Sequence, residues 1–130
     1  MKSYLAAPLF LLCVTSACSD DTTTVTPQGT VSSCDLTVDL GYCMDFDASA
    51  PKSTAKGNCD NAKSTLGYNG VANESGSCPT ANRVGTCLAN IHGIPISYRY
   101  FAPKFTAAAA ETNCKGLSGT GGTGGSFVAN

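Results

Sequence analysis

The chain has 130 residues, with eight cysteines, one histidine, no tryptophan, and 8 basic against 9 acidic side chains for a net charge of −1. That length holds one domain or two very small ones, and a near-neutral chain with 13% charged residues excludes an electrostatic nucleic-acid binder, which needs a concentrated basic face. Fifteen threonines and thirteen serines supply most of the polarity, which points to a small exported domain rather than an enzyme of the cell interior.

Met1-Lys2-Ser3 gives a short positive start, and Tyr4 to Val14 is an apolar run of 11 residues. That is too short to span a bilayer as a helix and has the form of the apolar stretch of a secretory signal. Small residues then lead to a cysteine, Thr15-Ser16-Ala17-Cys18. This resembles the lipobox of bacterial lipoproteins, in which a small residue precedes the cysteine that is lipidated and becomes the new N-terminus. Thr15 departs from the usual Leu, Val or Ile, and Cys13 does not fit the role because Leu12 stands before it. The competing expectation is an ordinary secretory signal cut at the same Ala17-Cys18 bond. Cysteine parity favours lipidation: removing the signal leaves seven thiols, whereas lipidating Cys18 leaves six, enough for three bridges. Residues 1–17 are therefore expected to be a lipoprotein signal peptide.

Residues 19–33, SDDTTTVTPQGTVSS, show no apolar periodicity and bury too little to fold. With Cys18 they are expected to form a lipidated, disordered tether over 18–33. The folded part is expected to start at Cys34; residues 34–130 carry 7 basic and 7 acidic groups and are formally neutral.

The six remaining cysteines fall into two sets of three. Cys34 and Cys43 are nine apart, as are Cys78 and Cys87, with Leu40-Gly41-Tyr42-Cys43 set against Val84-Gly85-Thr86-Cys87. Cys59 and Cys114 complete the sets, each preceded by Asn, at 58 and 113. These coincidences in the same order predict an internal repeat with units of about 34–77 and 78–130.

In the first unit a strand is expected over Tyr42 to Asp47. Alternation there puts Cys43 with Asp45 and Asp47 rather than with Met44 and Phe46, which conflicts with an inward-facing Cys43 unless a bulge intervenes. Ala55, Cys59, Ala62 and Leu66 then step by 4, 3 and 4, predicting a helix over about 53–66 with Gly67 as its C-cap. In the second unit, Cys87 to Ile91 and Ile94 to Tyr100 are expected to form a hairpin through His92-Gly93. Pro95 should hold the return strand at a sheet edge. Ala107, Ala110, Cys114 and Leu117 step by 3, 4 and 3 in a helix with Thr106 as N-cap, and Ser126 to Ala129 suits a short last strand after the glycine-rich loop from Gly119. The fold class expected is α+β, a small disulfide-stabilised domain of two repeated strand-helix units, the second with an extra hairpin strand. Of the fifteen possible connectivities, the one that respects the repeat joins Cys43 to Cys59, Cys87 to Cys114, and Cys34 to Cys78.

Little in the chain points to chemistry. No metal-ligand spacing is present, and no metal site or cofactor is expected. His92, the lone histidine, belongs to a turn tip and gives a catalytic triad nothing to build on. Asp45 and Asp47 fall short of the 6 to 8 oxygens Ca²⁺ takes and suit a polar strand face. The segment 119–125, GTGGTGG, lacks the ending of a phosphate loop, and Asn73-Glu74-Ser75 matters as a glycosylation triplet only in a eukaryote. The best candidate contact surface is the aromatic group Tyr98, Tyr100 and Phe101, with Phe105 near by, although aromatics at alternating positions more often belong to the core.

Ala17-Cys18, Gly41-Tyr42-Cys43, Cys59, Gly85-Thr86-Cys87 and Asn113-Cys114 together resemble the short cysteine-rich lipoproteins of Gram-negative bacteria. The resemblance implies a lipid-anchored, non-enzymatic binding or structural module at the outer membrane or cell surface, a destination that Ser19 after the lipid cysteine also suits. It implies a membrane partner through the lipid, leaves a protein or glycan ligand open, and offers no nucleic-acid partner. The alternative is a secreted, unlipidated cysteine-rich effector or inhibitor.

Overall fold

The protein is described from a computed structural model, over residues 29–117 and 123–130. The expected signal peptide, Cys13, the lipid-attachment residue Cys18, the tether up to 28, and residues 118–122 of the glycine-rich loop lie outside the described residues.

The fold is α+β. Its elements are β1 (Thr30–Leu36), α1 (Thr37–Leu40), β2 (Tyr42–Asp47), α2 (Thr54–Leu66), β3 (Val71–Asn73), β4 (Arg83–Ile91), β5 (Ile94–Phe101), α3 (Ala107–Gly116) and β6 (Thr123–Ala129). The strands form one antiparallel sheet in the order β3-β1-β2-β5-β4-β6. Each half thus runs hairpin, helix, then a strand that returns beside the first strand of its hairpin, and the halves meet through their second strands. The first half contains a hairpin of its own, so the expected strand-helix unit with an extra strand only in the second half is corrected. β1 takes in the last four residues of the expected tether, 30–33, which belong to the sheet. Ser32 and Ser33 there are buried despite their polarity, because β1 is flanked by β2 and, from Ser33 on, by β3, which supply backbone partners that a solvated tether lacks.

Register explains the disulfides. Cys34 stands opposite Met44, and Met44 and Phe46 share a buried cluster with Ala55, Cys59 and Ala62 of α2. Cys43, one residue from Met44, therefore faces away from α2. It packs instead with Cys78 and Phe101. The bridges are Cys34–Cys59, Cys43–Cys78 and Cys87–Cys114, with Cα separations of 5.6, 5.8 and 5.6 Å. The expected pairs Cys43–Cys59 and Cys34–Cys78 are thus corrected: alternation forbids Cys43 the helix, and the register is unbroken from Tyr42 to Phe46, its one shift against β1 falling between Thr30 and Ser32. Cys87–Cys114 is the pair expected.

The helices follow their steps of three and four except at one end of each stripe, where Leu66 and Ala107 are exposed. In α2 the buried residues are Ala55, Cys59 and Ala62, and Gly67 caps the C-terminus at φ 74° with its N–H donating to Lys63 O. In α3 Ala110 and Cys114 are buried, and the Thr106 hydroxyl accepts from the Ala109 N–H at 3.2 Å. Both positive φ values of a type I′ turn appear at His92 (52°) and Gly93 (83°). Pro95 is not on an edge strand, since β5 lies between β2 and β4. The sheet tolerates it because β2 pairs with β5 only as far as Ile96, so the missing N–H of Pro95 falls beyond that ladder.

Candidate functional site

Two core clusters, one per half, fill the helix-bearing face of the sheet. The first holds Cys34, Leu36, Phe46 and the buried face of α2; the second holds Cys87, Ala89, Tyr100 and the buried face of α3. Tyr42, Tyr98 and Ile91, all half-buried, pack against both clusters and form the seam between them. The sheet brings them there: Tyr42 of β2 stands opposite Tyr100 of β5, and Tyr98 stands opposite Met44. The rings of Tyr42 and Tyr98 lie 6.0 Å apart, and Tyr42 is 6.3 Å from Tyr100.

Neither helix is centred over this seam. α2 packs over β1 with its flanks on β3 and β2, whereas α3 packs over β6 and β4. Strands about 4.8 Å apart set the two helix axes roughly 17 Å from one another. Tyr42 and Tyr98 lie on the sheet between the two helices; half-buried Tyr68, just beyond α2, packs against the first cluster and Phe105, just before α3, against the second.

Burial raises the Tyr42 and Tyr98 phenols above the ordinary tyrosine value, and neighbouring phenols add to it, Tyr68 for Tyr42 and Tyr42 for Tyr98. The Tyr42, Tyr68 and Tyr98 hydroxyls make no hydrogen bond to the described residues. Tyr100 differs: it is fully buried, its hydroxyl donates to Asn113 Oδ1 at 2.8 Å, and its ring meets Phe105 edge-on at 4.8 Å. Burial again comes first among the causes that hold its phenol far above the usual range.

The expected contact surface of Tyr98, Tyr100 and Phe101 is therefore corrected. Tyr100 belongs to the core, and Phe101, one residue on, turns to the opposite face against the Cys43–Cys78 bridge. Tyr98 alone of the three is accessible. Tyr42 of β2 and Tyr68 of the loop after α2 join it at the seam, places that sequence spacing does not connect.

The opposite face carries a buried ion pair beside the Cys43–Cys78 bridge, and Phe101 there also lines a cavity of about 360 Å³ with Pro79 and Ala81. Asp45 is buried, accepts from the Cys78 N–H at 2.7 Å, and is paired with Arg99 at 2.8 Å; Arg99 in turn donates to the Thr86 hydroxyl at 3.1 Å. This clasp and the Cys43–Cys78 bridge pin the segment between the halves onto the sheet. Asp47 accepts from the Ser49 N–H at 2.9 Å, so each carboxylate is engaged in a turn or a clasp. Among the described residues no three His, Cys, Asp or Glu side chains converge as metal ligands, and no helix is long and apolar enough to cross a membrane. His92 sits exposed at its turn. Comparison with known proteins returned no match to a family model, a curated protein or a solved structure.

Proposed function

We propose that this chain is a lipid-anchored lipoprotein of the bacterial envelope, held at the outer membrane or cell surface by a lipid on Cys18, whose disulfide-bonded domain is a non-enzymatic binding or structural module. The observation that carries the reading is the cysteine pairing. All six cysteines from 34 onward are joined to one another, so the domain makes no claim on Cys18, and the signal-like run with Ala17-Cys18 gives that thiol a fate other than an unpaired one. Mass spectrometry of the mature protein tests it. The expected result is an N-terminal Cys18 carrying a diacylglyceryl group; a chain released into the medium with a free Cys18 thiol overturns the reading in favour of a secreted effector or inhibitor.

The same reading takes the domain to be two copies of one β-β-α-β unit. The support is positional. Cys34 and Cys87 occupy the first strands, Cys59 and Cys114 the helices, and Gly70 and Gly125 each lie so close to their unit's bridge that an added Cβ would strike its sulfur. Cys87 is thus matched with Cys34, not with Cys43 as the nine-residue spacing suggested. The equivalence is tested by removing each strand-helix bridge in turn, with equal losses of stability expected.

A further inference from the structure

We propose that the free edge of β6, over Ser126 to Asn130, is a self-pairing site: a second copy of this chain adds its own β6 antiparallel to it, about a two-fold axis through Val128. The two sheets then run on as one. This goes beyond the binding-module reading and does not depend on a lipid at Cys18.

The two edges of the sheet differ. β3, at one end of the strand order, is three residues long and flanked by α2, and the chain turns away after Asn73, whose Oδ1 accepts the Ser75 N–H at 3.1 Å. Short edges of that kind resist pairing. β6, at the other end, is seven residues long and carries neither a charged residue nor a proline, two of the usual devices that blunt an edge. Its register shift against β4 falls between Leu88 and Asn90, toward the glycines at its start, so the stretch from Ser126 onward is regular. The Asn130 N–H donates to Val84 O at 3.2 Å, and Gly85 stands opposite Ala129. Backbone groups alternate between the two sides of a strand, so Ser126, Val128 and Asn130 turn theirs to β4, while Phe127 and Ala129 turn theirs outward. Among the described residues no strand lies beyond them.

The same stretch is complementary to itself. Laid antiparallel about Val128, the outward N–H and C=O groups of Phe127 meet those of Ala129 in the copy, and Ser126 stands opposite Asn130. Val128 meets Val128 at a position without ladder bonds, where side chains approach most closely. That side chain is 56% exposed, and it points away from the helices, because its neighbour Phe127 packs in the second cluster. Pairing therefore buries an exposed valine and satisfies an open edge together. A like copy brings no repulsion, since Ser126 to Asn130 is uncharged.

Sedimentation equilibrium of the full-length protein, purified from its host in detergent, tests this over a concentration series. The expected result is a reversible monomer–dimer equilibrium. Val128→Lys sets like charges opposite one another and should weaken association about tenfold with thermal unfolding unchanged, because the side chain it replaces is exposed. Val128→Glu alone should do the same. An equimolar mixture of the two variants should associate again, as opposite charges face each other only if Val128 meets its own copy. Ala129→Pro removes an outward N–H and leaves the bonds to β4 in place; it should also weaken association about tenfold, and it decides the matter if the charged variants do not fold. A monomer at every concentration overturns the proposal. So does undiminished association of Val128→Lys, or a mixture of Val128→Lys and Val128→Glu that stays apart. A monomer whose Phe127 and Ala129 amide protons gain protection only from an unrelated Thr-Val repeat peptide overturns it in favour of a strand from another protein.

Discussion

The two halves of the domain share an order of elements and one bridge each, yet they secure their parts differently. The first half turns from β1 to β2 through α1 and Gly41, and the second turns through two residues, His92 and Gly93. α2 has no side-chain hydrogen bond at its N-cap, Ser53, but ends on a left-handed glycine; α3 is capped by Thr106 and ends without one. The shared parts, strand-helix bridge and glycine beneath it, carry the architecture, and the differing parts adjust each half's stability. Between the halves, Met44 faces Tyr98 across β2 and β5, and these are the residues opposite Cys34 and Cys87 in their own hairpins. The seam of Tyr42 and Tyr98 therefore lies on the line where the halves meet, and both halves contribute to it.

The largest expected effects come from the bridges. Replacing Cys34 and Cys59 together by alanine should cost about 3.5 kcal/mol on the loop-entropy model, and so should replacing Cys87 and Cys114, because the loops span 25 and 27 residues. Urea unfolding of the two variants compares the halves directly, and a difference of more than about 1.5 kcal/mol would break the equivalence. Next is the clasp between the halves. Asp45→Ala leaves Arg99 and the Cys78 N–H without their acceptor and should cost about 2–3 kcal/mol, with an unfolding transition that stays single if the halves fold together.

The seam gives a pH signature. Tyr42, Tyr98 and Tyr100 all have their phenols raised in the fold, chiefly by burial, whereas in the unfolded chain they titrate near pH 10. A raised folded value means that the unfolded chain loses its protons first. Stability contributed by the neutral phenols is complete below about pH 9 and falls as pH rises past about 10. Thermal unfolding followed from pH 8 to 11.5 should show a flat stretch and then a decline. Tyr98→Phe, which cannot ionise there, should lessen the decline.

Much of this was legible in the residues, and the part that was not has a physical reason. Helix periodicity marked α2 and α3 to within a residue or two, because buried Ala and Cys repeat at three and four with cap residues at the ends. Alternation in β2 put Cys43 with Asp45 and away from Met44, and that pattern alone forbids the Cys43–Cys59 bridge. The repeated nine-residue spacing of cysteines outweighed it, although Gly41 sits in a left-handed turn and Gly85 inside a strand, so the two Gly-x-Cys segments are not equivalent. The seam lay beyond local reading. Tyr42 of β2 and Tyr98 of β5 meet only through the β2–β5 register, which no spacing along the chain encodes, and Tyr68 reaches the first cluster from the loop after α2. Burial of Tyr100 and Phe101 likewise depends on which helix and which bridge cover each face.

The caps give the next contrast between the halves. Thr106→Ala removes a bonded N-cap and should cost about 1 kcal/mol, while Ser53→Ala removes none and should change stability by less than about 0.5 kcal/mol. Gly67→Ala should reverse that order within α2, costing about 1 kcal/mol, since alanine resists a φ of 74°. The smallest expected change is a gain. His92 holds φ 52° at the first position of a type I′ turn, where asparagine is at ease and a larger ring is not. Its side chain is exposed, so His92→Asn loses no packing and should raise stability by about 0.5 kcal/mol. The turn joins β4 to β5, the pair with the longest register in the sheet, so the gain should appear in global urea unfolding. An effect confined to hydrogen exchange at Ile91 and Ile94 would mean instead that the hairpin end opens independently of the rest of the second half.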